Sequence, residues 1–152
     1  MRLSDLDEVA TVEKSTLSPW SRSSLASECR IPNGLSFVAA GSPSRIFGWC
    51  GCRVIRPEAE LLKIAVAPKV RGLGIGSLLL EKMLAELRRK AFTVLFLEVR
   101  AANLPALKLY RRNNFYQVGL RRNYYTNPLD SALVFRKDVQ KLDETHHIEG
   151  LK

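Results

Sequence analysis

Three glycines within five residues, Gly72, Gly74 and Gly76, separate a strand-like run from a helix-like one, and few folds accommodate that arrangement. Residues 60–66, Glu-Leu-Leu-Lys-Ile-Ala-Val, read as a strand. After the glycines, Ile75, Leu78, Leu79, Met83, Leu84 and Leu87 recur at a period near 3.6, which predicts an amphipathic helix of about four turns. Residues 93–97 are then mostly apolar on both faces, the mark of a central strand covered on two sides. Strand, helix and strand over residues 60–99 make a right-handed crossover unit whose strands are parallel neighbours or near neighbours.

What such a turn can hold follows from backbone chemistry. Glycines let the main chain approach a ligand without side-chain obstruction. The first-turn amides of a helix have no partners within it, and its dipole favours negative charge there. Together these make a cradle for a diphosphate, with a purely structural turn as the competing reading. A Walker loop would need Gly-Lys-Ser/Thr, but Gly76 is followed directly by Ser77. A dinucleotide fold needs G-x-G-x-x-G in the first strand-helix unit, whereas three predicted strands precede these differently spaced glycines.

The rest of the chain builds around that unit. Ser4 with Asp7 resembles a helix start, and Leu6, Val9, Ala10 and Glu13 continue at helical spacing. A second short helix is expected over residues 21–29. Strands are expected over 36–40 and 46–55, with a turn at 42–44 between them and Pro57 ending the second. With residues 60–66 they form an antiparallel meander. A helix over 104–113 puts Leu107 and Tyr110 on one side, and strands over 116–120 and 133–135 complete the set. The expectation is an α/β (α+β) fold: a mixed, mostly antiparallel sheet with one parallel central pair and helices on both faces. A single domain would occupy residues 1–137, and 138–152, which lack periodicity, would be a flexible tail.

Composition narrows the ligand class. The 152 residues carry a formal charge of +9, although residues 138–152 hold four acidic and two basic side chains. A basic body favours polyanions such as nucleic acid, a ribosome surface or a phosphorylated cofactor. No apolar run reaches the ~20 residues of a membrane helix, and no secretory signal is expected, so the cytoplasm is the default location and no membrane partner is foreseen. Cys29, Cys50 and Cys52 do not suggest a disulfide framework. Cys50 and Cys52 share one face of a strand and read as small buried hydrophobes. No metal is expected, and His146 and His147 fall in the tail.

Several motifs in order raise the specificity. Val66-Ala67-Pro68 and then Arg71-x-x-Gly74-x-Gly76 before an amphipathic helix resemble the acyl-CoA signature of the GNAT acetyltransferase superfamily. Residues 97–103 (Leu-Glu-Val-Arg-Ala-Ala-Asn), 106–110 (Ala-Leu-Lys-Leu-Tyr), Asn114-Phe115, 121–125 (Arg-Arg-Asn-Tyr-Tyr) and 18–21 (Ser-Pro-Trp-Ser) are similar to RimI-type ribosomal-protein-alanine N-acetyltransferases within it. The resemblance covers roughly Leu3 to Phe135 and implies acetyl-CoA as co-substrate and a GNAT-like sheet with a splayed central strand pair. It implies that the backbone of Ile64, Ala65 and Val66 binds the pantetheine arm. Arg71, Gly72, Leu73, Gly74, Ile75 and Gly76 would wrap the diphosphate, and Asn103 would contact the cofactor. Relatives often have Gln where Arg71 stands. They often have Asp-Gly before the acidic residue in the segment corresponding to residues 126–132, which is read as a substrate-facing turn.

For the chemistry, Glu98 follows apolar residues near the end of a central strand, where lost hydration would make a carboxylate a better proton acceptor; the bland alternative is a strand-end glutamate reaching solvent. The resemblance assigns it as general base. Tyr110, seven residues after Asn103, would protonate the departing thiolate as general acid, against the alternative of a packed aromatic. A free α-amine of pKa ~8 costs about 1.4 kcal/mol to deprotonate at pH 7, a lysine at ~10.4 roughly 4.6 kcal/mol, so one modest base suits an N-terminal acceptor. Tyr124 and Tyr125 are candidates for holding the acceptor backbone, with Trp20 walling the groove; packing is an equal alternative for each. Arg111-Arg112 and Arg121-Arg122 read as solvated faces. The leading expectation is acetyl transfer to the N-terminal alanine of a small-subunit ribosomal protein, with the ribosome surface a further partner for the basic charge. A lysine or small-amine acceptor, and a non-catalytic RNA- or ribosome-binding module, are the alternatives.

Overall fold

The computed structural model describes residues 1–41 and 45–140. The expected turn at 42–44, most of the expected tail and both histidines lie outside the described residues. The elements in order are α1 (Leu6–Glu13), α2 (Arg22–Arg30), β1 (Leu35–Gly41), β2 (Arg45–Ile55), β3 (Glu58–Val66), α3 (Ile75–Arg89), β4 (Val94–Arg100), α4 (Leu104–Arg112), β5 (Tyr116–Thr126) and β6 (Leu129–Asp138). They form one six-stranded sheet ordered β1-β2-β3-β4-β6-β5. Every neighbouring pair is antiparallel except β3 and β4.

Alternation along the strands sorts side chains into two cores, one under each helical layer. On one face α3 and α4 cover Cys50, Cys52, Leu95, Leu97, Val99 and Phe135, with Leu80, Met83, Leu87, Leu107 and Tyr110 from the helices. On the other, α1 and α2 cover Ile46, Trp49 and Ala65 with Leu6, Val9 and Leu25. Burial at about 25 cal/mol per Å² of apolar surface makes these faces the main stabilising contribution. Cys50 and Cys52 are free thiols within the first core, and burial pushes each up to about 12, so they are neutral packing groups.

The central parallel pair is short. Residues Glu58–Leu61 of β3 meet Val94–Leu97 of β4. Past Leu61 the ladder to β4 stops, while β3 continues to pair with β2 as far as Val66. The β2–β3 register slips where Gly51 faces Lys63 and Cys52 faces Leu61, leaving Leu62 as the extra residue of a bulge. A bulge bends its strand, and from this point β3 and β4 part company, giving the splayed pair that the resemblance implied.

Four expectations need correction. The N-terminal helix is entered through a 3-10 turn over Leu3–Asp5, and Asp5, rather than Ser4, accepts from the Arg2 amide at 2.6 Å. The last two strands are much longer than expected: β5 and β6 form a hairpin through Asn127-Pro128, so most of residues 126–132 is ladder and not loop. The second half of β5 escaped notice because it is an edge strand exposed on nearly every residue, which erases the two-residue hydrophobic period. Finally, β6 runs to Asp138, Val139 is fully buried, and Gln140 Nε2 donates to the Phe92 carbonyl at 2.6 Å. The folded body therefore passes the expected boundary at residue 137.

Candidate active site

The glycine turn lies beyond the open end of β3. Gly72 and Gly74 have φ of +77° and +86°, the left-handed region that glycine enters without steric cost. A Cβ added at either would meet no protein atom within 4 Å, so packing does not demand these glycines; backbone conformation does, and the space over them is open. Gly74 caps α3 and has no side chain to offer, and the helix carries no acid in its first turn. The contrast with the neighbours is instructive. Ser21 Oγ accepts from the Ser24 amide at 3.1 Å to cap α2, and Asn103 Oδ1 accepts from the Ala106 amide at 3.3 Å to cap α4. α1 also lacks a side-chain cap but has Asp7 and Glu8 in its first turn; α3 has neither cap nor acid, which leaves its leading amides and the positive end of its dipole to an external anion. These features fit a diphosphate. Leu73 is 72% exposed over the turn, and Gly76 sits close to Leu109 of α4, where a larger residue would crowd the α3–α4 contact.

Ile64, Ala65 and Val66 pair on one side with Cys50, Trp49 and Gly48 of β2, and on the other face the gap opened by the splay. A ligand with amide groups can add there as a strand would. Arg71 departs from its expected role. Its guanidinium turns back, donating from Nε to the Val66 carbonyl at 3.0 Å and from Nη2 to Ser15 Oγ at 3.2 Å. The side chain thus ties the glycine turn to the end of β3 and to the α1–α2 loop. Asn103 is likewise engaged as a helix cap.

Glu98 stands on β4 just past the last residue paired with β3, and alternation places it on the face opposite Leu97 and Val99. Its side chain is 20% exposed, and Oε1 receives Arg121 Nε at 2.8 Å. Arg121, expected to be a solvated arginine, is therefore a partner of the candidate base, and its guanidinium also lies 5.5 Å from the Tyr124 ring centroid. Tyr110 comes from the other face. It is 5% exposed and packs beside Phe115 and Phe135 at 5.7 and 6.5 Å between centroids. Burial, and then the neighbouring Cys50 and Tyr125, hold its phenol well above the usual tyrosine range. Tyr125 is raised too, by burial first and next by the charge of Glu98. The charge of Glu98 thus reaches Tyr125, and Tyr125 in turn reaches Tyr110, although the three come from different elements.

Trp20 packs edge-on against Trp49, 5.5 Å between centroids at 69°. What holds it there is a group the sequence reading did not single out. Glu13 is fully buried and accepts from Trp49 Nε1 at 2.7 Å and from the Trp20 amide at 2.8 Å, with Lys63 Nζ at 3.3 Å. Lys63 also donates to Thr16 Oγ1 and the Ser18 carbonyl, at 3.2 and 3.0 Å. The signal was present: Glu13 falls on the apolar spacing of α1, where a carboxylate must have a partner. Its side-chain partners, Trp49 and Lys63, lie 36 and 50 residues away and could not be read from the pattern.

With this geometry in view, comparisons with known proteins are specific. The sequence model of the Acetyltransferase (GNAT) family matches residues 4–115. A Bacillus subtilis protein provisionally named as a ribosomal protein bS18-alanine N-acetyltransferase is 32% identical over 135 residues, covering 88% of this chain and 89% of that protein. The Escherichia coli K12 ribosomal protein bS18-alanine N-acetyltransferase is 36% identical over 118 residues, 76% of this chain and 78% of its own. The crystal structure of the ribosomal-protein-S18-alanine N-acetyltransferase from Escherichia coli superposes with a TM-score of 0.85 at 30% identity, covering 95% of this chain and 94% of that one. With a family match over more than half its length, a splayed sheet and an uncapped glycine turn, this chain belongs to the GNAT family of acetyltransferases.

Proposed function

We propose that the chain transfers the acetyl group of acetyl-CoA to the N-terminal α-amine of a ribosomal protein, with alanine as the first residue. The observation that carries the reading is the gap between β3 and β4, with the uncapped helix at one end and Glu98, Tyr125 and Tyr110 at the other. Acetyl-CoA supplies the activated thioester; the chain's own groups bind and orient it and move protons. The amides around Gly72–Gly76 hold the diphosphate, and the free edge of Ile64–Val66 holds the pantetheine amides. Glu98 takes the proton of the acceptor amine as nitrogen bonds to the acetyl carbon, and Tyr110 gives a proton to the sulfur as the carbon–sulfur bond breaks. Burial keeps the Tyr110 phenol protonated at neutral pH, so a proton is in place at its hydroxyl as the carbon–sulfur bond breaks. No hydrogen bond fixes its hydroxyl among the described residues. The transfer is direct, so the buried neutral thiols of Cys50 and Cys52 have no part in it.

The alanine acceptor is supported by the names of the relatives and by the modest base the site provides. Arg71 serves here through its backbone, its side chain bracing the turn. Trp20 and Tyr125 line the acceptor side, and Asn103 sets the start of α4 beside the cofactor. Location in the cytoplasm and contact of the basic surface with the ribosome accord with this acceptor; no helix among the described residues is long and apolar enough to cross a membrane. The test is direct. Purified chain is incubated with acetyl-CoA and a peptide bearing the N-terminus of ribosomal protein bS18, and the product is mapped by mass spectrometry. One acetyl group on the α-amine supports the reading; acetylation confined to internal lysines overturns the acceptor, and no transfer overturns the activity.

A further inference from the structure

Arg100 is a buried arginine. It is 9% exposed, two positions beyond Glu98 and on the same face of β4, yet no carboxylate pairs with it among the described residues. Glu98 is taken by Arg121 from further out. Burying a guanidinium without a counter-charge is costly, and such groups persist where neutral acceptors and aromatic faces replace water. Those replacements come from two separate segments. From the β5–β6 turn, Pro128 and Asn127 offer carbonyls to Nη1 and Nη2 at 2.8 and 3.3 Å, and the Tyr125 ring lies 4.1 Å below the guanidinium carbon. From the α1–α2 loop, Ser18 Oγ accepts from Nη2 at 3.4 Å. Ser18 is one residue from Pro19-Trp20 and 82 residues from Arg100.

The two segments meet over the Glu98 face of β4, and among the described residues Arg100 is hydrogen-bonded to both. The α1–α2 loop is held by cations from two further elements as well, Lys63 of β3 and Arg71 of the glycine turn. Those contacts tie the loop to β3 and the glycine turn; Arg100 ties it to the hairpin. We infer that Arg100 is a positioning residue of the acceptor groove: its planar fork joins the α1–α2 loop to the β5–β6 turn, seats Tyr125, and so sets the width of the entrance to Glu98. The inference rests on the acetyl-transfer reading above and adds to it a determinant of acceptor recognition. A lysine could not substitute, since an ammonium on a flexible stem cannot serve two walls and a ring in one plane.

Steady-state kinetics of R100Q and R100K test it with two acceptors, the bS18 N-terminal peptide, which spans the groove, and alaninamide, which is too short to touch both walls. In R100Q the KM for the peptide should rise about tenfold with a much smaller change in kcat, and the ratio of kcat/KM for peptide over alaninamide should fall by the same factor. R100K should recover only part of it. Calorimetric titration of both variants with acetyl-CoA should give the wild-type affinity, which separates a loosened groove from a misfolded chain. Equal losses on the two acceptors, a fall in kcat at unchanged peptide KM, or weakened acetyl-CoA binding in R100K would each overturn the role. A wild-type chain that acetylates neither acceptor would instead remove the acetyl-transfer reading, and this inference with it.

Discussion

The cofactor side and the acceptor side of the site are built from different materials. On the proposed cofactor side the groups on offer are main-chain amides and carbonyls: the open turn at Gly72 and Gly74, the uncapped start of α3, the free edge of Ile64–Val66. On the acceptor side they are side chains brought from far apart, with Glu13, Lys63, Arg100 and Arg121 joining loops and strands by charge. Backbone recognition needs only local conformation, which a short motif can encode. Side-chain recognition needs register across the whole sheet. The first should be robust to most substitutions outside the glycines, and the second sensitive to single atoms.

That contrast can be broken experimentally, beginning where the effect is largest. Glu98→Gln removes the proposed proton acceptor with little change of shape. It should lower kcat for the peptide by about 10³-fold, within the range for a general base, while acetyl-CoA binds as before; retained turnover would show that water or another group accepts the proton. Next is Lys63→Met, which strips the buried Glu13 carboxylate of its cation and frees Thr16 and Ser18. Removing one member of a buried pair costs about 3 kcal/mol or more, so the urea midpoint should drop and the peptide KM should rise. A variant as stable as the parent would mean that the two indole and backbone donors suffice for Glu13.

Gly74→Ala probes the backbone side. An L-residue in the left-handed region costs roughly 1–2 kcal/mol, and an added methyl meets no protein atom. Acetyl-CoA affinity should weaken about tenfold by calorimetry with the peptide KM unchanged; a shift in the peptide KM instead would undo the division between the two sides. The smallest effect concerns the core beneath both. Cys50 and Cys52 rise from 9.0 to about 12 on burial, so above pH 9 the unfolded chain loses protons that the folded chain keeps. Stability contributed by these thiols is complete below about pH 9 and declines as pH rises toward 12. Thermal melts should fall across that interval, and less so for Cys50→Ala than for the parent. An unchanged pH slope in that variant would place the dependence elsewhere.

How far the sequence reached follows the same division. The strand–glycine–helix unit was legible because each part has a local code: apolar alternation for β3, positive-φ glycines for the turn, a 3.6-residue period for α3. Glu98 and Tyr110 were candidates by position, but that they lie on opposite faces beside the splay, which the bulge at Leu62 starts, was not legible. Arg121 was taken for a solvated arginine because β5, exposed along the sheet edge, carries no burial pattern to mark its partners.

The sequence by itself determined the order of elements, the cofactor cradle and the apolar faces, since all three rest on contacts within a few residues. Only the tertiary structure decided which cation met which acceptor: Arg121 went to Glu98, Lys63 to Glu13, Arg71 to the end of β3, and Arg100 to two loops at once. A long charged side chain has no periodicity to betray its target. Its partner is whichever acceptor the packed sheet leaves in reach and out of water.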